Sequence, residues 1–169
     1  MLAADPGTTI ARIAAEAGVD RRTVYRRFAS RDELLTAIHQ ARVTAIEAAV
    51  EDARLREAPV PVALHRYVEN IIEVNRTWPV DLTHMLADDA VRGRRDAVID
   101  EVDTFLRRAV DEGVLRGDLP EGWAGELLPQ LMHLVSRRMP ELGAGQAADV
   151  VVDTLLHGLG TGRTAASPV

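Results

Sequence analysis

Apolar residues recur every three or four positions along most of the chain, and no long segment alternates apolar and polar residues at every second position. This spacing is typical of amphipathic α-helices and not of half-buried strands. We therefore predict an all-α fold. Proline and glycine separate the predicted helices, which cover about 9–16, 20–27, 31–52, 62–76, 80–89, 92–112, 123–138 and 144–159.

The first helices have start and stop signals in the sequence. Thr8 or Thr9 is a suitable N-cap for the first helix, and Gly18 is placed to end it as a C-cap glycine. Asp20 is the predicted N-cap of the second helix. The third begins with Ser-Arg-Asp-Glu (30–33), a capping box whose serine and glutamate side chains accept the first backbone N–H groups. The N-terminal part is therefore expected to hold two short helices and the start of a long one.

The two short helices and the glycine turn between them have the dimensions of a helix-turn-helix unit. In such a unit the second helix enters the DNA major groove, and its N-terminal side chains reach the base edges. Val24 and Phe28 are expected to pack inward, which leaves the other side chains on the outer surface: Arg21, Arg22, Thr23, Tyr25, Arg26 and Arg27. Arginine offers a bidentate fork to guanine or phosphate, and threonine and tyrosine can contact phosphates. A solvated charged helix is the alternative explanation.

Charge is distributed unevenly over a chain that is acidic overall, with a net charge of -6. Residues 1–42 hold seven arginines and five acidic residues, whereas residues 43–169 hold thirteen arginines and twenty-one acidic residues. The first segment is therefore mildly basic. We expect it to meet an anionic partner that the acidic remainder does not meet.

The segment TTIARIAAEAGVDRRTVYRRFASRDELL (8–35) resembles the DNA-binding signature of the TetR family of bacterial repressors. The shared pattern is a threonine pair, I/V-x-x-I-A, A-G-V, T-[VL]-Y-x-x-F and S-[KR]-x-x-L. The resemblance implies an N-terminal helix-turn-helix followed by a helical ligand-binding and dimerisation domain, a homodimer, and repression at a double-stranded DNA operator that a small-molecule effector relieves. It also implies contacts to DNA from seven residues, which are Thr9, Arg21, Arg22, Thr23, Tyr25, Arg27 and Arg31. Of these, Thr9 and Arg31 would hold phosphates.

Proteins of this family begin with a helix that packs across the helix-turn-helix. Here only Met1–Asp5 precede Pro6-Gly7, and they resemble the last turn of that helix, so we expect most of it to be missing. The leading hypothesis is a DNA-binding transcriptional regulator, a repressor released from its operator by a ligand. The alternative is a dimeric small-molecule-binding or interaction protein that no longer binds DNA because the first helix is absent.

The predicted domains are a helix-turn-helix at 1–42 with its first helix truncated, a ligand-binding and dimerisation domain at 43–160, and a disordered tail at 161–169. In the family, the helices that correspond to 62–112 surround the ligand. Ligand pockets are mostly apolar with a few placed polar groups. The candidates with this mixture are His65, Tyr67, Ile71, Asn75, Trp78, Asp81, Leu82, His84, Met85, Leu86 and Phe105. Ordinary core packing is the alternative for each of them.

The last two predicted helices carry strong apolar stripes, which can pack within one subunit or against a second one. The resemblance favours a four-helix bundle of this helix pair with the same pair of a second subunit, an isologous contact. The expected interface residues are Leu127, Leu128, Leu131, Leu134, Val135, Val151, Val152, Leu155, Leu156 and Leu159. Such a homodimer would place two recognition helices about 34–36 Å apart, one turn of DNA.

Few residues point to other functions. The chain has no cysteine, and its five histidines (39, 65, 84, 133 and 157) include no pair at helical spacing, so neither a metal nor another cofactor is expected. His84 and Asp88 lie four residues apart and could imitate the acid–base pair of an enzyme, but such pairs are more often surface helix contacts. No apolar run approaches the roughly 18 residues of a membrane span, and a cytoplasmic location without membrane contact is predicted.

Overall fold

The computed structural model describes residues 9–16, 18–78 and 88–158. The regular elements of these residues are helices, and the predicted all-α fold is confirmed. In chain order they are α1 (Ile10–Glu16), α2 (Arg21–Arg27), α3 (Arg31–Ala53), α4 (Val60–Thr77), α5 (Arg92–Asp111), α6 (Trp123–Arg138) and α7 (Ala144–Gly158). Met1–Thr8, most of the helix predicted at 80–89 and the tail predicted at 161–169 lie outside the described residues.

We call the second half of α3 together with α4, α5, α6 and α7 the body. α4 is the central helix of the body. It packs against α3, α6 and α7. Its apolar residues recur at helical spacing, so one broad face is buried, and Leu64, Val68 and Ile72 are each 1% exposed or less. Burial of each such side chain contributes about 1.5–3 kcal/mol relative to an exposed position. The body is therefore held together mainly by the apolar face of α4.

α3 connects the N-terminal helices to the body. Its N-terminal end directly follows α1 and α2, which pack against each other and which we call the head. Ala49, Val50 and Ala53, near its C-terminal end, lie in the hydrophobic core of the body. Because α3 is continuous over 23 residues, the domain boundary predicted after residue 42 falls inside a single helix.

The contact between α3 and α5 is polar. Arg94 donates hydrogen bonds to Glu47 at 2.8 Å and to the Thr44 hydroxyl at 2.8 Å. Just beyond the C-terminal end of α3, Arg56 lies 3.3 Å from Glu101 of α5. An open groove of about 610 Å³ lies between these pairs. α3 is therefore held to α4 by apolar packing, and to α5 by separate polar contacts.

Candidate functional site

The turn between α1 and α2 forms a Schellman motif, which satisfies the last carbonyl groups of α1. The Val19 N–H donates to the Ala14 carbonyl at 2.9 Å, and the Gly18 N–H donates to the Ala15 carbonyl at 3.2 Å. Gly18 has a φ of +63°, a left-handed conformation that glycine adopts without steric cost. The C-cap role predicted for Gly18 is confirmed, and this turn sets the direction in which α2 leaves α1.

α2 begins at its predicted N-cap, since the Arg22 N–H donates to the Asp20 carboxylate at 2.7 Å. None of its residues is fully buried, and the inner side is formed by the half-buried Val24 and Phe28. The outer side consists of exposed residues, which are Arg21, Arg22, Thr23, Tyr25, Arg26 and Arg27. α2 therefore presents a surface of four arginines, a threonine and a tyrosine to solvent.

The guanidinium groups of α2 are not neutralised by carboxylates among the described residues. In the part of the chain that the structure describes, none of the four forms an ion pair with a carboxylate. Instead, Arg21 Cζ lies 5.1 Å from the centre of the Tyr25 ring, and Arg27 Cζ lies 6.0 Å from the centre of the Phe28 ring. Such cation–π contacts restrain the guanidinium groups without neutralising them. The positive charge of α2 is therefore available to an anion such as a DNA phosphate.

Two further predicted phosphate contacts lie near helix N-termini. Thr9 is exposed, and its hydroxyl accepts the backbone N–H three residues further on at 3.3 Å, so it caps α1. α3 begins at the predicted capping box: the Glu33 N–H donates to the Ser30 hydroxyl at 3.1 Å, and the Glu33 carboxylate accepts the Ala29 N–H at 2.6 Å. The half-buried Arg31 is the first residue of α3, directly beyond the C-terminal end of α2.

The residues predicted to line an effector pocket occupy different places. Tyr67, Ile71 and Phe105 are buried in the hydrophobic core. Burial raises the pKa of the Tyr67 hydroxyl, and the neighbouring charge of Asp103 raises it further. His65 is half-buried, and its Nε2 lies 2.9 Å from a carboxylate of α7. Five of the predicted residues lie outside the described part of the chain: Asp81, Leu82, His84, Met85 and Leu86.

The two remaining pocket candidates, Asn75 and Trp78, are joined by a residue that the sequence did not indicate. Arg42 of α3 is buried, and it donates Nη1–H to the Trp78 carbonyl at 2.5 Å and Nη2–H to Asn75 Oδ1 at 2.7 Å. These partners lie 36 and 33 residues away along the chain, so no local pattern could have revealed them. Arg42 connects the predicted pocket to the helix that follows the head.

Comparison with known proteins assigns this arrangement to a family. A profile described as "Bacterial regulatory proteins, tetR family" matches residues 6–38, which include α1, the turn and α2. The HTH-type transcriptional repressor LfrR of Mycolicibacterium smegmatis is 30% identical over 167 residues, which cover 96% of this chain and 84% of LfrR. The chain belongs to the TetR family. It is therefore a DNA-binding transcriptional regulator, as the sequence predicted.

Solved structures of TetR-family regulators share the fold of this chain. LfrR from Mycobacterium smegmatis in complex with proflavine has a TM-score of 0.71 and 28% identity, over 92% of this chain and 88% of LfrR. The ketosteroid transcriptional regulator KstR2 of Mycobacterium tuberculosis has a TM-score of 0.75 and 18% identity, over 92% of this chain and 86% of KstR2. The likeness to KstR2 concerns the fold alone.

Half of the residues predicted at the dimer interface of this TetR-family regulator are buried within the subunit itself. Each of these five is 9% exposed or less: Leu128, Val135, Val151, Val152 and Leu155. They have almost no surface left for a partner, because α6 and α7 turn these residues toward the core of the body. Their burial favours the alternative that these residues pack within one subunit. Of the others, Leu127, Leu131 and Leu156 are half-buried, Leu134 is exposed, and Leu159 lies outside the described residues.

A different face of α6 remains apolar and accessible in this regulator. Trp123, Leu127, Leu131 and Leu134 lie four, four and three residues apart, which places them along one side of the helix. Trp123 is 48% exposed and Leu134 49%. Val150 of α7 adds another exposed apolar side chain. We call these five residues the outer stripe.

Asp88, which the sequence offered as a partner of His84, pairs with a different histidine. Its carboxylate lies 2.7 Å from Nδ1 of His39, whereas His84 lies outside the described residues. Burial alone would raise the pKa of the Asp88 carboxyl, but hydrogen bonds from His39 and from the Ala90 N–H lower it on balance. Asp88 is therefore an ionised, structural residue that joins α3 to the start of α5.

The described residues contain no arrangement suited to a metal ion or to a membrane crossing. No three histidine, aspartate or glutamate side chains among those residues are arranged to hold a metal ion. Within the same ranges, no helix combines the length and the apolar character that a membrane crossing requires.

Proposed function

We propose that this regulator is a repressor that binds its operator as a homodimer and leaves the operator when a small molecule binds to the body. The DNA-binding part of this proposal depends on one observation: the exposed arginines of α2 have no carboxylate partner among the described residues. A cationic helix that follows a fixed turn suits insertion into the major groove.

The roles of individual residues follow from their positions. Arg21, Arg22 and Thr23 lie in the first turn of α2, the part of a recognition helix that reaches base edges. Tyr25 and Arg27 lie further along the same exposed surface and would contact the DNA backbone. Thr9 and Arg31, at the N-terminal ends of α1 and α3, would hold phosphates on either side of α2.

The homodimer is proposed to form through the outer stripe. Large apolar side chains exposed along one side of a helix are typical of interaction sites when they form a patch. A two-fold contact between two copies of α6 and α7 would cover Trp123, Leu134 and Val150 at once, and the two heads would be related by the same axis. The operator is then expected to consist of two half-sites that are related by the same two-fold symmetry as the two heads.

The effector is proposed to bind beside α4, on the side of the predicted pocket residues Tyr67, Ile71, Asn75 and Trp78. These residues are four, four and three positions apart, so they share one face of α4. The similar repressor LfrR is known in complex with proflavine, which supports a small molecule as the effector.

The operator-binding proposal is tested with the full chain and DNA selected by it from a random duplex library. We expect the dissociation constant of the selected site, measured by fluorescence anisotropy, to rise steeply with salt because arginine–phosphate contacts release counterions. Arg22→Ala should weaken binding to the selected site about tenfold or more, and should lower the preference for that site over a mismatched one.

Arg66→Ala is the matched control, because Arg66 is an exposed arginine on α4, in the body. We expect it to leave the affinity unchanged within about twofold. If no sequence is enriched, or if Arg22→Ala and Arg66→Ala behave alike, α2 is not the recognition helix and the proposed function is rejected.

A further inference from the structure

Arg42 is a buried cation, and its hydrogen-bond acceptors among the described residues are neutral. Its side chain is bonded to the Trp78 carbonyl and to Asn75 Oδ1, and the residue is 4% exposed. Its Nε–H is buried and has no hydrogen-bond partner. A buried charge is costly unless an opposite charge or a complete set of hydrogen bonds compensates for it.

More positive charge lies next to Arg42, on α6. Burial and the charge of Arg137 lower the pKa of Arg42 to about 10. Partial burial, Arg137 and Arg42 lower the pKa of His133. Arg76, at the end of α4, donates to the carbonyl of Met139 at 3.3 Å, just beyond α6. The end of α6 therefore places a second arginine, Arg137, close enough to Arg42 to act on its pKa.

No carboxylate among the described residues forms an ion pair with Arg42, Arg76 or Arg137. Elsewhere on α3 the pattern is different: His39 is paired with Asp88, and the cation facing Glu47 is Arg94. These two positions of α3 each have an ion-pair partner among the described residues, whereas Arg42 has none there.

We propose that the effector is an organic anion, whose acidic group is bound by Arg42 and attracted by the neighbouring charge of Arg137. This inference rests on the proposed function and specifies the chemical class of its ligand. The side chains of Ile71 and Trp78, about one turn before and one turn after Asn75 on the same face, would contact the apolar part of such a molecule. An amphipathic carboxylate or sulfonate has the required combination of groups.

A simpler role for Arg42 predicts a different behaviour. Arginine can stabilise a helix C-terminus by donating to its last carbonyl groups, and Trp78 is the C-cap residue of α4. If that were the whole role of Arg42, its removal would lower stability without changing the preference between charged and neutral ligands. The two roles are therefore separated by ligand preference and not by stability.

The test uses two fluorescent probes that differ mainly in one acidic group. The anionic 8-anilinonaphthalene-1-sulfonate and the neutral N-phenyl-1-naphthylamine are titrated into the full chain, and each dissociation constant is obtained from the rise in emission. We expect Arg42→Gln to weaken binding of the sulfonate about tenfold or more, and binding of the neutral probe less than about twofold. Arg66→Gln, on the exposed side of α4, should change neither.

Arg137→Gln keeps the inference testable if Arg42→Gln proves to be unfolded by circular dichroism, because Arg137 is exposed and its loss leaves the core intact. We expect about a threefold loss of sulfonate affinity in that variant, with the neutral probe unchanged. Equal losses for both probes, or no loss of sulfonate affinity in either variant, would overturn the inference.

Operator binding is measured on the same preparations, so that failure of the anion-site proposal can be distinguished from failure of the proposed function. Wild-type protein that binds its selected DNA but shows no arginine-dependent preference for the sulfonate contradicts the anion site alone. Wild-type protein that selects no DNA contradicts the proposed function, whatever the probes show.

Discussion

His39 Nδ1 lies 2.7 Å from Asp88 Oδ2, and both side chains are largely shielded from water. The Asp88 carboxylate also accepts the Ala90 N–H at 2.9 Å. Because His39 lies in the third turn of α3, close to the head, this pair ties the head-proximal half of α3 to the chain that enters α5. The Arg94–Glu47 and Arg56–Glu101 contacts are more exposed to solvent. His39–Asp88 is therefore the best shielded of these three ion pairs.

Asp88→Asn is expected to lower the free energy of unfolding by about 1–3 kcal/mol, because it removes a charged acceptor from a shielded hydrogen-bonded pair. Urea unfolding followed by circular dichroism measures this change. Asp89→Asn is the control, since the Asp89 carboxylate is 84% exposed and its contact with Arg92 lies on the surface. We expect a loss below about 1 kcal/mol for the control. If both variants lost the same free energy of unfolding, the His39 contact would contribute no more than an exposed surface contact.

Gly18→Ala should destabilise the head by about 1–2 kcal/mol, because a Cβ is unfavourable at a φ of +63°. No atom lies within 4 Å of that Cβ, so the cost is conformational and not steric. Gly93→Ala is the matched control: it also faces open space, but it lies inside α5, where alanine is favoured by about 0.5–1 kcal/mol. Unfolding of both variants in urea, and their affinity for the selected DNA, give the comparison. A Gly18→Ala protein as stable as wild type would contradict the Schellman turn.

Arg31→Ala should weaken binding to all DNA sequences about equally, because a phosphate contact carries no sequence information. The slope of log affinity against log salt is expected to become shallower by about one unit. Anisotropy titrations on the selected site and on a scrambled duplex, each at several salt concentrations, measure both quantities. A loss confined to the selected site would place Arg31 at a base edge and not at a phosphate.

Leu134→Glu should convert the proposed dimer into a monomer, because it places a charge within the apolar surface that the dimer would cover. Light scattering after size-exclusion chromatography measures the mass. Ile99→Glu is the control, since Ile99 of α5 is exposed to a similar extent, 46% against 49% for Leu134, but lies outside the outer stripe. Dimers in both variants would exclude the outer stripe as the interface.

The pKa of His133 is lowered from its usual 6.5 by partial burial and by the charges of Arg137 and Arg42. The unfolded chain therefore binds more protons than the folded one once the pH falls through about 6.5, and the free energy of unfolding decreases there. His133→Asn removes this contribution, so its stability should fall less than that of wild type between about pH 7 and about pH 5.

Urea unfolding at three pH values across that interval measures the effect, with His157→Asn as a control at an exposed position of α7. The same pH dependence in wild type and His133→Asn would mean that His133 keeps an ordinary pKa in the folded protein.

The head could be predicted from the sequence because its signals are local. Gly18, Asp20 and Ser30 each act on backbone groups within five residues, and the structure places each in the predicted capping role. The body is different, because its contacts join residues that are far apart along the chain. Periodicity shows that α6 and α7 have apolar stripes, but it does not show which neighbour a stripe faces. Leu128 and Val151 were therefore assigned to a partner subunit, although they pack in their own core.

Arg42 illustrates the same limit for the candidate effector site. An arginine in the middle of a charged helix is usually solvated, and only the approach of Asn75 and Trp78 in three dimensions makes this one a buried donor. Its significance also depends on what is missing nearby, namely an acidic partner among the described residues. Neither the approach of Asn75 and Trp78 nor the lack of an acidic partner among the described residues can be read from the sequence.

The continuity of α3 has a mechanical consequence. At 1.5 Å per residue its 23 residues span about 34 Å, and its second half is fixed in the core of the body by Ala49, Val50 and Ala53. A tilt of about 5° of the whole helix around that fixed half swings the far end through about 2 Å. α3 is thus a lever, and a displacement at Arg42 smaller than an atomic diameter is enlarged at the head to a distance comparable with a hydrogen bond.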